Sequence, residues 1–265
     1  MPPLALVGNL SFDLVDGGLP RIGGAPIHCG RALRMLDARA TVIARCGRDD
    51  REKFRRGFAR LGLPVMLRDV DGDTTTFAFT YEGDRRLMRV TKIGKVWGVA
   101  DVAKVPRGAW VHVGALLRGD FPVETLAALA RGRRVSFDGQ GLTRVRAVGS
   151  LRLEAETDGE MLRHVAILKL AVEEAQALAG GIEPKALAEL GPPEVVVTFG
   201  SDGSLVVADG RVTEVRAHHV DVDPTGSGDA FAAAYLVSRA HGHIPAAAAR
   251  RATGVVGEML RRRLR

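Results

Sequence analysis

The chain has 265 residues, 46% apolar and 26% charged, which suffices for one large α/β domain or two small ones. No apolar run approaches the roughly 18 residues that cross a bilayer. Residues 1–6 are too short and uncharged for a secretory signal, so a cytoplasmic protein with no membrane partner is expected. The net charge of +7 comes from 32 arginines against six lysines, interleaved with acids, and 5% aromatics supply no base-stacking set. No nucleic-acid partner is expected, and the basic run Arg261-Arg262-Arg263-Leu264-Arg265 reads as a solvated helix end. Cys29 and Cys46 are too few for a disulfide scaffold.

Short apolar runs alternate with helical patterns along the whole chain. Strands are expected at Leu4–Val7, Thr41–Ala44, Trp110–Val113, Val135–Phe137, Val165–Leu168 and Val195–Phe199. Between them the periodicity predicts helices at Ile27–Leu36, Arg51–Leu61, Val123–Ala130, Glu173–Ala179 and Pro184–Leu190. Two more follow, from Asp229 to about Arg239 and over Pro245–Arg263. This alternation predicts an α/β fold with a central, mainly parallel sheet and helices on both faces. Ligands in such folds bind beyond the carboxyl ends of the strands. One stretch breaks the rhythm: Asp73–Val90 is β-branched and aromatic, with Glu82-Gly83-Asp84 as a hairpin turn. It predicts a small antiparallel lid on a single domain spanning 1–265. Exposed Phe77, Phe79 and Tyr81 on that lid would offer a route to a homodimer.

The most informative run is Asp223-Pro224-Thr225-Gly226-Ser227-Gly228-Asp229, followed by the apolar stretch Ala230 to Leu236. Gly226 and Gly228 allow a sharp turn that brings backbone N–H groups against a ligand. The helix that follows adds its unpaired first-turn donors and the positive end of its dipole. Together these make a pocket for an anion, most plausibly a phosphate. Asp229 at its rim could accept the proton of an attacking hydroxyl, a combination that reads as phosphoryl transfer. No Lys-Ser/Thr pair follows the glycines, so this is not a Walker A loop.

Every position from Asp223 to Leu236 fits the signature of the ribokinase (PfkB-type) carbohydrate kinase family, and the chain resembles that family. The resemblance implies a ribokinase-like kinase that transfers the γ-phosphoryl of ATP to a hydroxyl of a small polyol. Asp229 would be the base, with Gly226, Ser227 and Gly228 holding the developing charge. It further implies Asp13, Gly23 and Gly24 around the acceptor, and Thr198, Gly200, Gly203 and Thr225 around the nucleotide. Glu174 would organise hydrated Mg²⁺, with Glu173 in that role if the register slips by one. Many relatives also use a monovalent cation such as K⁺ near the Asp223 loop. Asp138-Gly139-Gln140-Gly141-Leu142-Thr143-Arg144 resembles a run of short, inositol-kinase-like members. Gln140 suits vicinal hydroxyls and Arg144 a phosphate, against the alternative of a β-turn with a solvated arginine.

The chain also departs from the pattern. His28 stands where the family usually has Asn, and is either a substitute hydrogen-bonding partner for the acceptor or a packed helix residue. Ala171 replaces the Asn of the Asn-x-x-Glu region, and Leu36-Asp37 replaces a Leu-Gly helix end, whereas Gly47 fits. The expected acceptor is a sugar or a cyclitol such as myo-inositol, ahead of a nucleoside. A catalytically weak regulatory protein that binds sugar or nucleotide is the reading from another class.

Overall fold

The computed structural model describes residues 2–82, 85–155 and 159–264. Its main sheet has nine strands in the order Arg211–Arg216, Gly203–Ala208, Glu194–Thr198, Ile167–Ala171, Arg134–Asp138, Trp110–Gly114, Leu4–Asn9, Thr41–Gly47 and Val65–Val70. The seven from Glu194–Thr198 onward are parallel, and the first two form an antiparallel edge. Both faces of the parallel strands are covered, which is why they read as continuous apolar runs. Leu4 and Leu6 pack into one layer with Ile27, Phe54 and Ala233. Ala5 and Val7 pack into the opposite layer with Val113, Phe137 and Leu168. This is the mainly parallel α/β sheet with helices on both faces that the sequence predicts.

Helix Arg51–Leu61 shows how little apolar surface such an element needs. Six of its eleven residues are Arg, Lys or Glu, yet Phe54, Gly57 and Phe58 at i, i+3 and i+4 make one buried stripe. Gly62, in the left-handed region at φ 66°, ends it. Replacing the fully buried Phe54 with Ala would cost about 3–5 kcal/mol.

Several expected boundaries move. The strand expected at Val165–Leu168 is Ile167–Ala171, because Val165 closes a turn back onto Leu162. The strand expected to end at Phe199 ends at Thr198, where the 3₁₀ turn Gly200–Asp202 begins to form. Gln140–Thr143 is a short helix and not a β-turn.

The lid is larger than the Asp73–Val90 segment. Five strands pair in the order Gly149–Ser150, Arg85–Lys92, Thr75–Glu82, Ser11–Val15 and Arg21–Gly23, so three further pieces of chain join the expected hairpin. The turn residues Gly83 and Asp84 lie outside the described residues. Phe77 and Phe79 are not exposed: they are buried at 3% and 4% against Val90, Leu116 and Leu117 of the same chain. The apolar side of the lid therefore closes on the body, which removes the reason for expecting a dimer through those two rings.

A buried polar knot ties lid to body. Asp120, fully buried, accepts from the N–H groups of Leu116 and Leu117 and from the side chain of Asn9. Arg146, just ahead of Gly149–Ser150, bridges Asp120 and the carbonyl of Gly94, just after Arg85–Lys92. Trp97 donates its indole N–H to Asn9 at 2.6 Å, and Arg45 lies over the Trp97 ring at 4.4 Å.

Candidate active site

The strands Arg134–Asp138, Ile167–Ala171 and Glu194–Thr198 lie side by side, with Lys169 opposite Asp138 and Ala171 opposite Thr198. Their carboxyl ends form a ledge, and helix Ser227–Ala240 starts above it. Gly226 enters that helix in the left-handed region at φ 79°, and an added Cβ would run into the His28 ring. The turn is pinned from inside by Asp223, whose carboxylate accepts from the Thr225 N–H at 3.0 Å and hydroxyl at 2.6 Å.

This internal bonding revises two expectations. The Ser227 N–H donates to the Pro224 carbonyl at 2.9 Å, so it is held by the turn itself. The amides of Gly226 and Gly228, which make no backbone hydrogen bond among the described residues, are the ones that can meet an anion. Thr225 directs its hydroxyl to Asp223, so its side chain shapes the loop instead of facing the cleft described below.

Asp229 sits in the first turn of the helix. Cys29 donates its thiol to the Asp229 backbone carbonyl at 3.3 Å, fixing this turn against helix Ala25–Met35. The carboxylate Oδ1 is buried and has no hydrogen-bond partner among the described residues. Burial, followed by the Asp138 charge, pushes its pKa up to about 7, while Lys169 and Arg144 oppose the rise. A carboxyl group so poised can take a proton near neutrality.

Sequence reasoning missed Lys169. Its ammonium lies 3.4 Å from Asp138 and directly beneath Gly228. Burial works against its charge, yet Asp138, Glu174 and Asp229 together hold it above the ordinary lysine range. The available signal was a lone lysine at the centre of an otherwise apolar strand, Ile167–Ala171.

Glu174 is buried and Glu173 exposed. Glu174 accepts from the Ala171 N–H at 2.8 Å, capping its helix, and faces the Gly139 turn. Burial raises its pKa. Gln140 is buried at the start of its short helix, its N–H directed to Asp138 at 3.3 Å. Arg144 is half-buried at the other end, within electrostatic reach of Asp229, Glu174 and Lys169.

On the lid side, Asp13 lies on Ser11–Val15 and accepts from the Ser11 hydroxyl at 3.1 Å. Gly23 leaves room for it, since an added Cβ would stand 2.6 Å from its carboxylate. Gly24, at φ 94°, fits against the Asn9 carbonyl and starts helix Ala25–Met35. Asp13 adds to the negative field at Asp229. His28 is buried against Gly226, and burial, reinforced by Arg31, drops its pKa to about 4. The ring packs behind the Gly226 turn.

Thr198, Gly200 and Gly203 line a cleft of about 410 Å³, closed on its other side by Phe231, Val256 and Leu260. Gly203 must be glycine there: at φ 118° any Cβ would overlap the Val215 carbonyl. The cleft opens onto Gly228. A larger groove, about 660 Å³ between Leu33 and Pro64, contains none of these residues.

Solved structures share the fold. A pyrophosphate-dependent kinase in the ribokinase family, complexed with a pyrophosphate analog and myo-inositol, matches at TM-score 0.85 and 24% identity, over 97% of this chain and 95% of that one. Arabidopsis thaliana ribokinase complexed with ribose and ATP matches at 0.75 and 20%, over 98% and 93%. A Burkholderia thailandensis nucleoside kinase in complex with inosine matches at 0.73 and 19%, over 97% and 90%. The profile of the pfkB family carbohydrate kinases matches residues 20–262, and the chain belongs to that family, whose members transfer phosphoryl groups to sugar hydroxyls.

Proposed function

We propose that this kinase phosphorylates a hydroxyl of a small polyol, a cyclitol such as myo-inositol or a sugar, with ATP as donor and Asp229 as base. The observation that carries this reading is the buried, unpartnered Oδ1 of Asp229 beside an anion loop, between a polar lid and an apolar cleft. The acceptor would lie between Asp13, the Gly23-Gly24 turn and Gln140. As its oxygen bonds to the γ-phosphorus, its proton moves to Asp229 and the bond to the departing ADP oxygen breaks. The Gly226 and Gly228 amides and the Lys169 ammonium lie where charge develops on the transferred group. The lid would exclude water that competes as acceptor.

Magnesium, when bound with the donor, neutralises phosphate charge. Among the described residues no three His, Cys, Asp or Glu side chains cluster to hold it unaided. The donor set fits an ion carried mainly by phosphate and water, with the buried Glu174 orienting that water.

A second donor has specific support. Arg216, His218, His219 and Arg261 line the cleft, and the pyrophosphate-dependent relative shares the fold at high coverage. The apolar wall of Phe231, Val256 and Leu260 favours a nucleotide base, and so ATP. Phosphorylated product should be measured directly with MgATP and with magnesium pyrophosphate, across inositols, aldoses, ketoses and nucleosides, with Asp229→Asn as control. Acceptor-dependent product from MgATP alone supports the first reading, and product from pyrophosphate alone replaces the donor. Donor binding without product from any acceptor overturns the kinase assignment in favour of a binding protein.

A further inference from the structure

Arg263 is exposed, as a solvated helix end implies, yet its guanidinium is bonded within the chain. It reaches back to the anion loop, where Nη1 donates to the Asp223 carbonyl at 2.5 Å and Nη2 to the Thr225 carbonyl at 3.0 Å. These carbonyls flank Pro224 on the turn that presents the Gly226 and Gly228 amides. The Arg263 charge is also felt at His28 and Arg31, so the guanidinium lies near helix Ala25–Met35 as well as the loop.

Two peptide carbonyls aimed at one point are the donor set that a weakly hydrated monovalent cation takes in place of its water. Here a guanidinium fork already holds both, each through its own N–H. A second cation there would be repelled by the guanidinium and would have to displace both of its N–H bonds. The residues at these carbonyls therefore do not fit the potassium ion that the family resemblance implies near the loop.

We propose that Arg263 is the resident cation of the Asp223–Gly228 turn, replacing a dissociable monovalent ion with a covalently held charge. It is a positioning residue: it orders the turn from behind and adds fixed positive charge to a loop read as the donor-phosphate site. This rests on the kinase reading for its catalytic consequence, though not for its effect on the loop. It follows that the wild-type protein works without added potassium.

The test compares wild type, Arg263→Ala and Arg263→Lys in tetramethylammonium chloride, replaced stepwise by KCl at constant ionic strength. The first readout is hydrogen exchange at the Thr225 and Ser227 amides, both bonded within the turn. The second is kcat and donor KM. Wild type should change by less than about twofold with potassium, whereas Arg263→Ala should exchange about tenfold faster at these amides. That variant should also show a raised donor KM and regain both properties with potassium or about 20 mM guanidinium, far below denaturing levels. Arg263→Lys should fall between, since an ammonium lacks the fork. The proposal is overturned if potassium tightens the wild-type loop or raises its turnover more than about fivefold, the scale of a real coupling. It is equally overturned if Arg263→Ala matches wild type in exchange. If no acceptor is turned over, the exchange data still decide the role of Arg263, and the kinase reading fails separately.

Discussion

Lys169 lies directly beneath Gly228, its ammonium 3.1 Å from where a side chain on that glycine would begin. The main sheet thus delivers a fixed positive charge to the underside of the turn whose Gly228 lines the cleft. Asp138 holds this lysine from one side, and the lysine's charge opposes the rise in the Asp229 pKa. Lys169→Met should lower kcat by about 100-fold, the scale of losing one preorganised electrostatic contact. It should also move the acid limb of the pH–rate profile to higher pH, because burial and Asp138 would then raise Asp229 unopposed by that charge. An unmoved limb would show that the lysine does not share a field with the base.

Asp229→Asn separates catalysis from stability. Turnover should fall about 10²- to 10⁴-fold through loss of the base, with donor binding retained. Stability should move the other way. The folded pKa of Asp229 is about 7 against an ordinary 3.8, so between those values the folded state keeps a proton that the unfolded chain releases. Its contribution is fully present below the ordinary value and is lost as pH rises through 7, by up to about 4 kcal/mol. The Asn variant should melt several degrees higher than wild type at pH 8 and no higher at pH 3.5. Equal melting temperatures at pH 8 would mean that the carboxylate is not held in a desolvated site.

The glycine-rich loop and its helix were legible in the sequence because their chemistry is local: seven adjacent residues carry the turn, the donors and the carboxylate. The parallel strands were legible for the same reason, as apolar runs. What escaped was built by distant contacts. Lys169 acquires meaning only when its strand pairs with Arg134–Asp138, and Arg263 only when the last helix folds back on the loop. Phe77 and Phe79 read as exposed because a two-stranded flap has no partner, whereas five strands curl over Leu116 and Leu117. Ser227 and Thr225 carried the right motif but are bonded within their own turn, a detail that residue types do not specify.

Gly226→Ala tests the packing behind the loop. A left-handed alanine costs about 1 kcal/mol, and its methyl would also meet the His28 ring. Donor affinity measured by calorimetry should fall by at least about tenfold, since the first-turn amides would be displaced. His28→Ala in the same chain should restore part of that loss by removing the obstructing ring. A double variant no better than Gly226→Ala would place the fault in backbone strain alone.

Arg146→Met tests the anchor between lid and body. The substitution leaves Asp120 buried without its cation and frees the Gly94 carbonyl, and so loosens two of the chain segments that enter the lid. Removing one member of such a pair destabilises by up to about 3 kcal/mol, discounted for the quarter-exposed arginine. Burial already raises the Asp120 pKa and Arg146 opposes it, so without the arginine the carboxyl group should be protonated to still higher pH. Proton uptake relieves an isolated charge, so the loss of melting temperature should be larger at pH 8 than at pH 5. With a looser lid, water should compete better with the acceptor, and donor hydrolysis without acceptor should rise relative to transfer. A variant that loses stability with an unchanged hydrolysis-to-transfer ratio would restrict the Asp120–Arg146 pair to holding the fold, with no part in closing the site.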